Sequence, residues 1–228
     1  MSEPRSIGVL TIGQAPRADD AVVELRQVLG PSYTIIERGA LDDLSAAEIE
    51  GVHPEPGHYL LISLLKNGQS VTMSKQKILP LLQERIDAFG EDGVHAILLL
   101  CTGAFPAFKT DRLIVQPQEA LYHLVLGLAG RNRRIGVMTP LAGQVAQTRD
   151  KWEEYGIDPV VVAASPYTAD DEVTPAARRL AASGADLIFM DCMGYSLSMK
   201  ARAKTAAGRC PIVLARSAIA RVLAEVAD

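Results

Sequence analysis

At 228 residues, 48% hydrophobic and 22% charged, the chain can bury a real core as one large domain or two small ones. The net charge is −4 with no long run of either sign, which argues against nucleic acid or an anionic membrane as a partner. Three Cys do not suggest a disulfide framework, no signal-peptide pattern is visible and no apolar run reaches membrane-spanning length, so a reduced, cytoplasmic setting is expected.

In chain order, Ile7 to Ile12 reads as a first strand, broken by Gly13-Gln14-Ala15-Pro16-Arg17. Asp19 or Asp20 can cap a helix running to about Leu29, and Tyr33 to Glu37 is a second strand. An excursion follows, with a short helix at Leu44 to Glu50 and a Pro-rich loop from His53 to His58. Two apolar runs, Tyr59 to Leu65 and Gln69 to Met73, flank Lys66-Asn67-Gly68, and Asn-Gly is a strong hairpin signal. Ser74 can cap the next helix, in which Pro80 predicts a late start or a kink. Gly93 to Cys101 is a buried strand, Arg112 to Val115 a short one and Pro117 to Leu128 a helix. Arg131, Arg133 and Arg134, the one tight basic cluster, read as a solvated loop. Then come a strand at Ile135 to Thr139, a helix at Ala142 to Tyr155, a strand at Val160 to Ala164 and a helix at Val173 to Ser183. A second Cys strand ends at Cys192, followed by a helix from Ser196 to Ala207, a strand from Pro211 to Leu214 and a helix from Ser217 to Val226.

The second half repeats the first. Gly93–Gly103 aligns without a gap on Gly184–Gly194 at an offset of 91, and Ile7-Gly8-Val9-Leu10-Thr11 aligns on Ile135–Thr139 at an offset of 128. The offset falls by about the length of the excursion, so the first half is the second plus an insertion. Alternating strands and helices then predict two α/β lobes related by a pseudo-twofold, each a parallel sheet of four core strands with helices on both faces. Lobe 1 is 1–116 plus 216–228, with a hairpin insertion at about 40–75, and lobe 2 is 117–215.

Cys101 and Cys192 occupy matched positions at the carboxyl ends of two strands, each before a turn that opens a helix. Open α/β sheets bind ligands at that edge. Free Cys is also a common core residue, so the pair reads either as a duplicated core position or as two thiols facing one cleft. In the second reading, one thiolate and one thiol act as base and acid on a small carboxylate. Thr11, Gly13, Gln14, Arg17, Thr102, Gly103, Thr139, Pro140, Met193, Gly194 and Tyr195 are the candidate substrate-binding residues around them. Arg17 could pair with a substrate carboxylate or be a solvated surface Arg. His53 and His58 lack further metal ligands, and no phosphate-loop or dinucleotide motif occurs, so no cofactor or metal is expected.

The segments I-G-V-L-T-I-G-Q-A-P-R, H-P-E-P-G-H-Y-L-L-I-S-L-L-K-N-G-Q, A-D-L-I-F-M-D-C-M-G-Y and P-I-V-L-A-R-S-A-I-A-R resemble those of the AroM family over nearly the whole chain. More distantly the pattern resembles the aspartate/glutamate racemase superfamily, which includes hydantoin racemases, maleate isomerases and arylmalonate decarboxylases. The resemblance implies two pseudo-symmetric lobes, a cleft site, cofactor independence, catalytic cysteines at Cys101 and Cys192, and the Thr beside the first at Thr102. It also implies that helices 117–128 and 217–226 each pack on the other lobe. The chain departs from the racemase pattern after Cys192, where Met193, Gly194 and Tyr195 stand for the usual Thr followed by His or Glu. It departs before it too, where Asp191 would oppose a thiolate. Three functions follow: a two-cysteine racemase or isomerase, a single-cysteine isomerase or decarboxylase, or a small-anion-binding protein without turnover. The expected partner is a small carboxylate, with no nucleic acid or membrane, and a homodimer is left open.

Overall fold

The computed structural model describes residues 5–130 and 133–227, so Arg131 of the basic cluster lies outside the described residues. The chain is α/β, with two parallel four-stranded sheets and one antiparallel hairpin. It divides into two compact units, the described parts of Met1–Pro117 with Ala220–Asp228 and then Gln118–Ile219.

In unit 1, β1 (Arg5–Thr11), α1 (Ala21–Leu29) and β2 (Tyr33–Gly39) come first, then the excursion of α2 (Ala46–Gly51), β3 (Leu60–Leu64) and β4 (Ser70–Ser74). Next are α3 (Lys75–Glu91), β5 (Ala96–Leu99) and β6 (Leu113–Val115), giving the sheet order β2-β1-β5-β6. In unit 2, α4 (Pro117–Ala129) leads to β7 (Ile135–Thr139), α5 (Val145–Glu153), β8 (Val160–Ala163), α6 (Val173–Ala182), β9 (Leu187–Met190), α7 (Leu197–Ala207) and β10 (Ile212–Leu214); α8 (Ala215–Ala227) follows, and its residues from Ala220 on belong to unit 1. The sheet order of unit 2, β8-β7-β9-β10, is the same plan without the excursion.

The repeat extends to individual hydrogen bonds. Leu10 pairs with Leu99 across β1 and β5, as Met138 pairs with Met190 across β7 and β9. One residue on, Leu100 N–H donates to the Leu10 carbonyl at 2.8 Å and Asp191 N–H to the Met138 carbonyl at 2.9 Å. The inner strands β5, β7 and β9 are buried along their whole length, as parallel strands covered on both faces require.

The excursion is part of the core of unit 1. Val52, Leu61, Val71 and Met73 pack with Leu10, Ile12 and Leu41 and with Ile78, Leu82, Ile86 and Phe89 of α3. Each such buried side chain contributes about 1.5–3 kcal/mol. The hairpin closes through Leu65 N–H to Gln69 O at 2.8 Å and Gly68 N–H to Leu65 O at 3.0 Å, with Gly68 at φ +82°. That left-handed position suits glycine.

Several local expectations change. Asp20 caps α1 by position but makes no side-chain cap bond; Asp19 Oδ1 accepts from Ala21 N–H at 3.4 Å. α3 begins at once behind Ser74, whose Oγ accepts from Lys77 N–H at 3.3 Å, and it continues through Pro80 because its later turns bury Leu82, Ile86 and Phe89. The helix expected from Ala142 opens as a 3-10 turn, Ala142–Gln144, before α5. A helix follows Cys192, capped by Ser196 Oγ on Met199 N–H at 3.2 Å, but none follows Cys101. Residues 102–112 are irregular, in a stretch holding Pro106, which lacks an N–H and disfavours helix before it.

Candidate active site

Each cysteine lies just beyond the carboxyl end of an inner strand, two residues after β5 or β9. In both units the sulfur accepts a backbone N–H from the glycine two places on, Gly103 to Cys101 Sγ and Gly194 to Cys192 Sγ, each at 3.3 Å. An N–H aimed at sulfur favours the thiolate over the thiol. Both glycines are needed for closeness. A Cβ at Gly103 would sit 2.9 Å from Leu61 Cδ2 and 3.1 Å from Phe105 Cε2. A Cβ at Gly194 would overlap Tyr167 Oη and sit 2.8 Å from Pro166 Cγ.

In unit 1, Cys101 is half-buried and Thr102 and Gly103 are buried. Tyr59 Oη, from the start of the hairpin, accepts Ala104 N–H at 3.3 Å. At the end of β1, Thr11, Ser63 and Arg17 form a cluster. Arg17 Nη1 lies 3.1 Å from Ser63 Oγ and 3.4 Å from Thr11 Oγ1, and Thr11 Oγ1 also accepts Gly13 N–H at 3.4 Å. The Arg17 side chain is 2% exposed, which removes the solvated-surface reading. Its fork is closed on Asp19, with Nε to Oδ1 at 2.9 Å and Nη2 to Oδ2 at 2.7 Å. Gln14 is engaged at both ends, its Nε2 on the Leu41 carbonyl at 3.1 Å and its Oε1 on Lys66 N–H at 3.0 Å. In the structure Gln14 and Arg17 thus fasten the loop after β1 to its neighbours.

In unit 2, Cys192 is 9% exposed and belongs to the core with Ala164, Tyr195 and Leu214. Tyr167 Oη approaches its sulfur at 3.8 Å. Met193, Gly194 and Pro140 are buried, and the Met193 carbonyl accepts Arg216 Nε at 2.8 Å. Thr139 Oγ1 accepts from Thr148 Oγ1 at 3.2 Å. Tyr195, expected as a donor to ligand, is fully buried and donates to the Ala164 carbonyl, so it supports the corner from behind. Burial foremost, then the neighbouring Cys192 and Asp191 charges, push its phenol well above the ordinary range.

Asp191 turns into a buried network. Its Oδ2 accepts from Tyr122 Oη at 2.9 Å and lies 3.3 Å from Lys151 Nζ, with Lys151 and Asp191 side chains 8% and 1% exposed. Tyr122 stacks on Trp152 at 4.0 Å. Burial foremost, then the Asp191 charge, push the Tyr122 phenol well above its ordinary range.

Ser63, Tyr59, Tyr167, Tyr122 and Lys151 carry no site signal of their own in the sequence, and Asp19 reads there only as a helix cap. One signal was available: a carboxylate closing an apolar strand needs a cation, and α5 carries Lys151 beside Trp152. Among the described residues no three His, Cys, Asp or Glu side chains gather as metal ligands. His53 faces Glu50 and Thr72, and His58 accepts Glu55 N–H. No helix of the described residues is long and apolar enough to cross a membrane.

Comparison with solved structures gives the fold. The chain is similar to allantoin racemase from Pseudomonas fluorescens, at a TM-score of 0.63 and 15% identity, covering 97% of this chain and 91% of that one. It is similar to glutamate racemase from Aquifex pyrophilus, at a TM-score of 0.58 and 17% identity, covering 97% and 83%. It is also similar to an arylmalonate decarboxylase, at a TM-score of 0.58 and 18% identity, covering 96% and 92%. No curated protein matches it by sequence. A family profile described as AroM protein matches residues 7–227, nearly the whole chain and both cysteine corners. The chain belongs to the AroM family.

Proposed function

We propose that the protein is a cofactor-independent enzyme of the racemase and isomerase kind, acting on a small carboxylate, with Cys101 and Cys192 as its acid–base pair. One thiolate takes a proton from the carbon next to the carboxylate and becomes a thiol. The other thiol gives its proton to the resulting carbanion and becomes a thiolate, so charge and protons balance. The observation that carries the reading is the matched pair of 3.3 Å N–H contacts to sulfur. A core cysteine that is merely duplicated has no need of a hydrogen-bond donor at the same atom in both copies. The fold shared with two racemases and a decarboxylase supports it. Thr102, Gly103, Met193 and Gly194, which follow the two cysteines in the chain, are the main candidates to hold the substrate.

Incubation of amino, hydroxy and dicarboxylic acids in deuterated water tests this. Label should enter the carbon next to the carboxylate with the native chain and be lost with C101S and C192S. No label in any of these acids would overturn the reading and leave a binding protein. A second reading has its own support in the unequal surroundings of the two sulfurs, one half-buried and one buried against Tyr167. It is a single-cysteine isomerase or decarboxylase, in which only one of the two serine variants loses activity.

A further inference from the structure

The two corners differ at the residue before the sulfur. Leu100 and Asp191 are matched in register, through their N–H bonds to Leu10 and Met138, yet one is apolar and the other is a carboxylate. Leu100 shows that an apolar side chain suits this strand end. The buried Asp191, Lys151 and Tyr122 are therefore not what the fold itself demands, since a buried ion pair is seldom more stable than an apolar replacement. A bare carboxylate one residue from a thiol would oppose its ionisation by about ten- to hundredfold at an effective dielectric near 20.

The geometry points to Lys151 as a positioning residue for Cys192: it neutralises the Asp191 carboxylate, with Tyr122 holding the same oxygen, so that the adjacent sulfur can carry negative charge. Lys151 Nζ and Tyr122 Oη meet at Asp191 Oδ2, at 3.3 and 2.9 Å, and the lysine also lies 5.3 Å from the centre of the Tyr122 ring. Trp152 and Phe189 wall in Tyr122, with ring centres at 4.0 and 6.2 Å. Other ionisable groups near Cys192 include Tyr167, at 3.8 Å from its sulfur, and Tyr195, which feels both Cys192 and Glu172. Arg216 Nε donates to the Met193 carbonyl at 2.8 Å. Unit 1 has Leu100 at the matched place, so Cys101 has no carboxylate there to be neutralised.

This inference rests on the proposed role of Cys192 for its purpose, but its test reads the thiol itself. In a C101S/C210S chain, Cys192 is the only thiol, and its ionisation is followed by thiolate absorbance as pH rises. K151M should move the midpoint up by about one pH unit or more, because the carboxylate is left uncompensated. D191N should move it down, because the lysine then acts alone. K151M/D191N should return near the parent. An unmoved midpoint in K151M, or shifts of the same sign in K151M and D191N, would overturn the assignment. D191N keeps an oxygen for Tyr122, so its sign decides even where K151M does not fold. Deuterium exchange without this pattern of signs would sink the Lys151 role alone, and the pattern without exchange would sink the enzymatic reading alone.

Discussion

At Cys101 the neighbours are Leu100 before the sulfur, and Leu61 and Phe105 against the glycine after it. At Cys192 they are Asp191 before it, and Pro166 and Tyr167 against the glycine. The strand end and the N–H contact to sulfur are the same in both, so the backbone was duplicated as a device while the side chains around it diverged. The apolar version is held by the hairpin of unit 1 and the polar version by α5 and the loop after β8. The difference teaches that a common scaffold fixes where a thiol stands, and its packing partners fix how readily it ionises.

The strongest way to break this comparison is to remove its buried charge. K151A should cost about 3–5 kcal/mol in urea unfolding, since it leaves a carboxylate buried. D43A, which removes a 77% exposed partner of Arg85 in unit 1, should cost less than about 1 kcal/mol. Equal losses would show that the Lys151 pair is an ordinary ion pair.

The next largest effect lies at Gly13, whose added Cβ would overlap the Leu64 carbonyl that receives Gln14 N–H at 3.0 Å. G13A should cost about 2–3 kcal/mol, because backbone must move. Its counterpart at the offset of 128 is Leu141, in the unit that lacks the hairpin. A stable G13A chain would show that the hairpin is only loosely fastened to β1.

Alkaline pH separates the units further. Burial raises the phenols of Tyr122 and Tyr195 above the ordinary value of 10.0. The folded state thus favours their neutral forms. That stability is whole below about pH 10 and is lost as pH rises from there toward the folded values. Y195F, whose counterpart in unit 1 is Ala104, should flatten the fall of the urea midpoint above pH 10. An unchanged slope would contradict the burial of that phenol.

The smallest effect compares thiols. Cys101 Sγ accepts an N–H, whereas Cys210 Sγ donates to the Ala185 carbonyl at 3.1 Å, and burial foremost, then the Asp186 charge, push the Cys210 thiol up. Both are partly exposed. Iodoacetamide at neutral pH should therefore modify Cys101 at least about tenfold faster, as read from peptide masses. Equal rates would show that the N–H contact does not activate sulfur.

Much of the fold was legible because its signals are local. Apolar runs bounded by glycine, Asn67-Gly68 and Ser74 each announce an element, and the repeat at Cys101 and Cys192 announces the topology. The corners were legible only in outline. Whether Arg17, Gln14 or Tyr195 faces a ligand depends on partners such as Asp19, Lys66 and Ala164, and for Gln14 and Tyr195 those are far along the chain. Ser63, Tyr167 and Lys151 sit on other elements and come near the corners only in the folded chain. Asp191 was readable as an oddity that calls for a cation, but that Lys151 is the one that meets it at 3.3 Å only the folded chain shows.

The central claim is that two thiols act, one from each unit. One enantiomer of a substrate, incubated in deuterated water and sampled early, tests it most directly. The account predicts solvent deuterium in the product enantiomer, none in the recovered starting enantiomer, and loss of product with either C101S or C192S. Label appearing as fast in recovered substrate as in product, with one serine variant fully active, would contradict it.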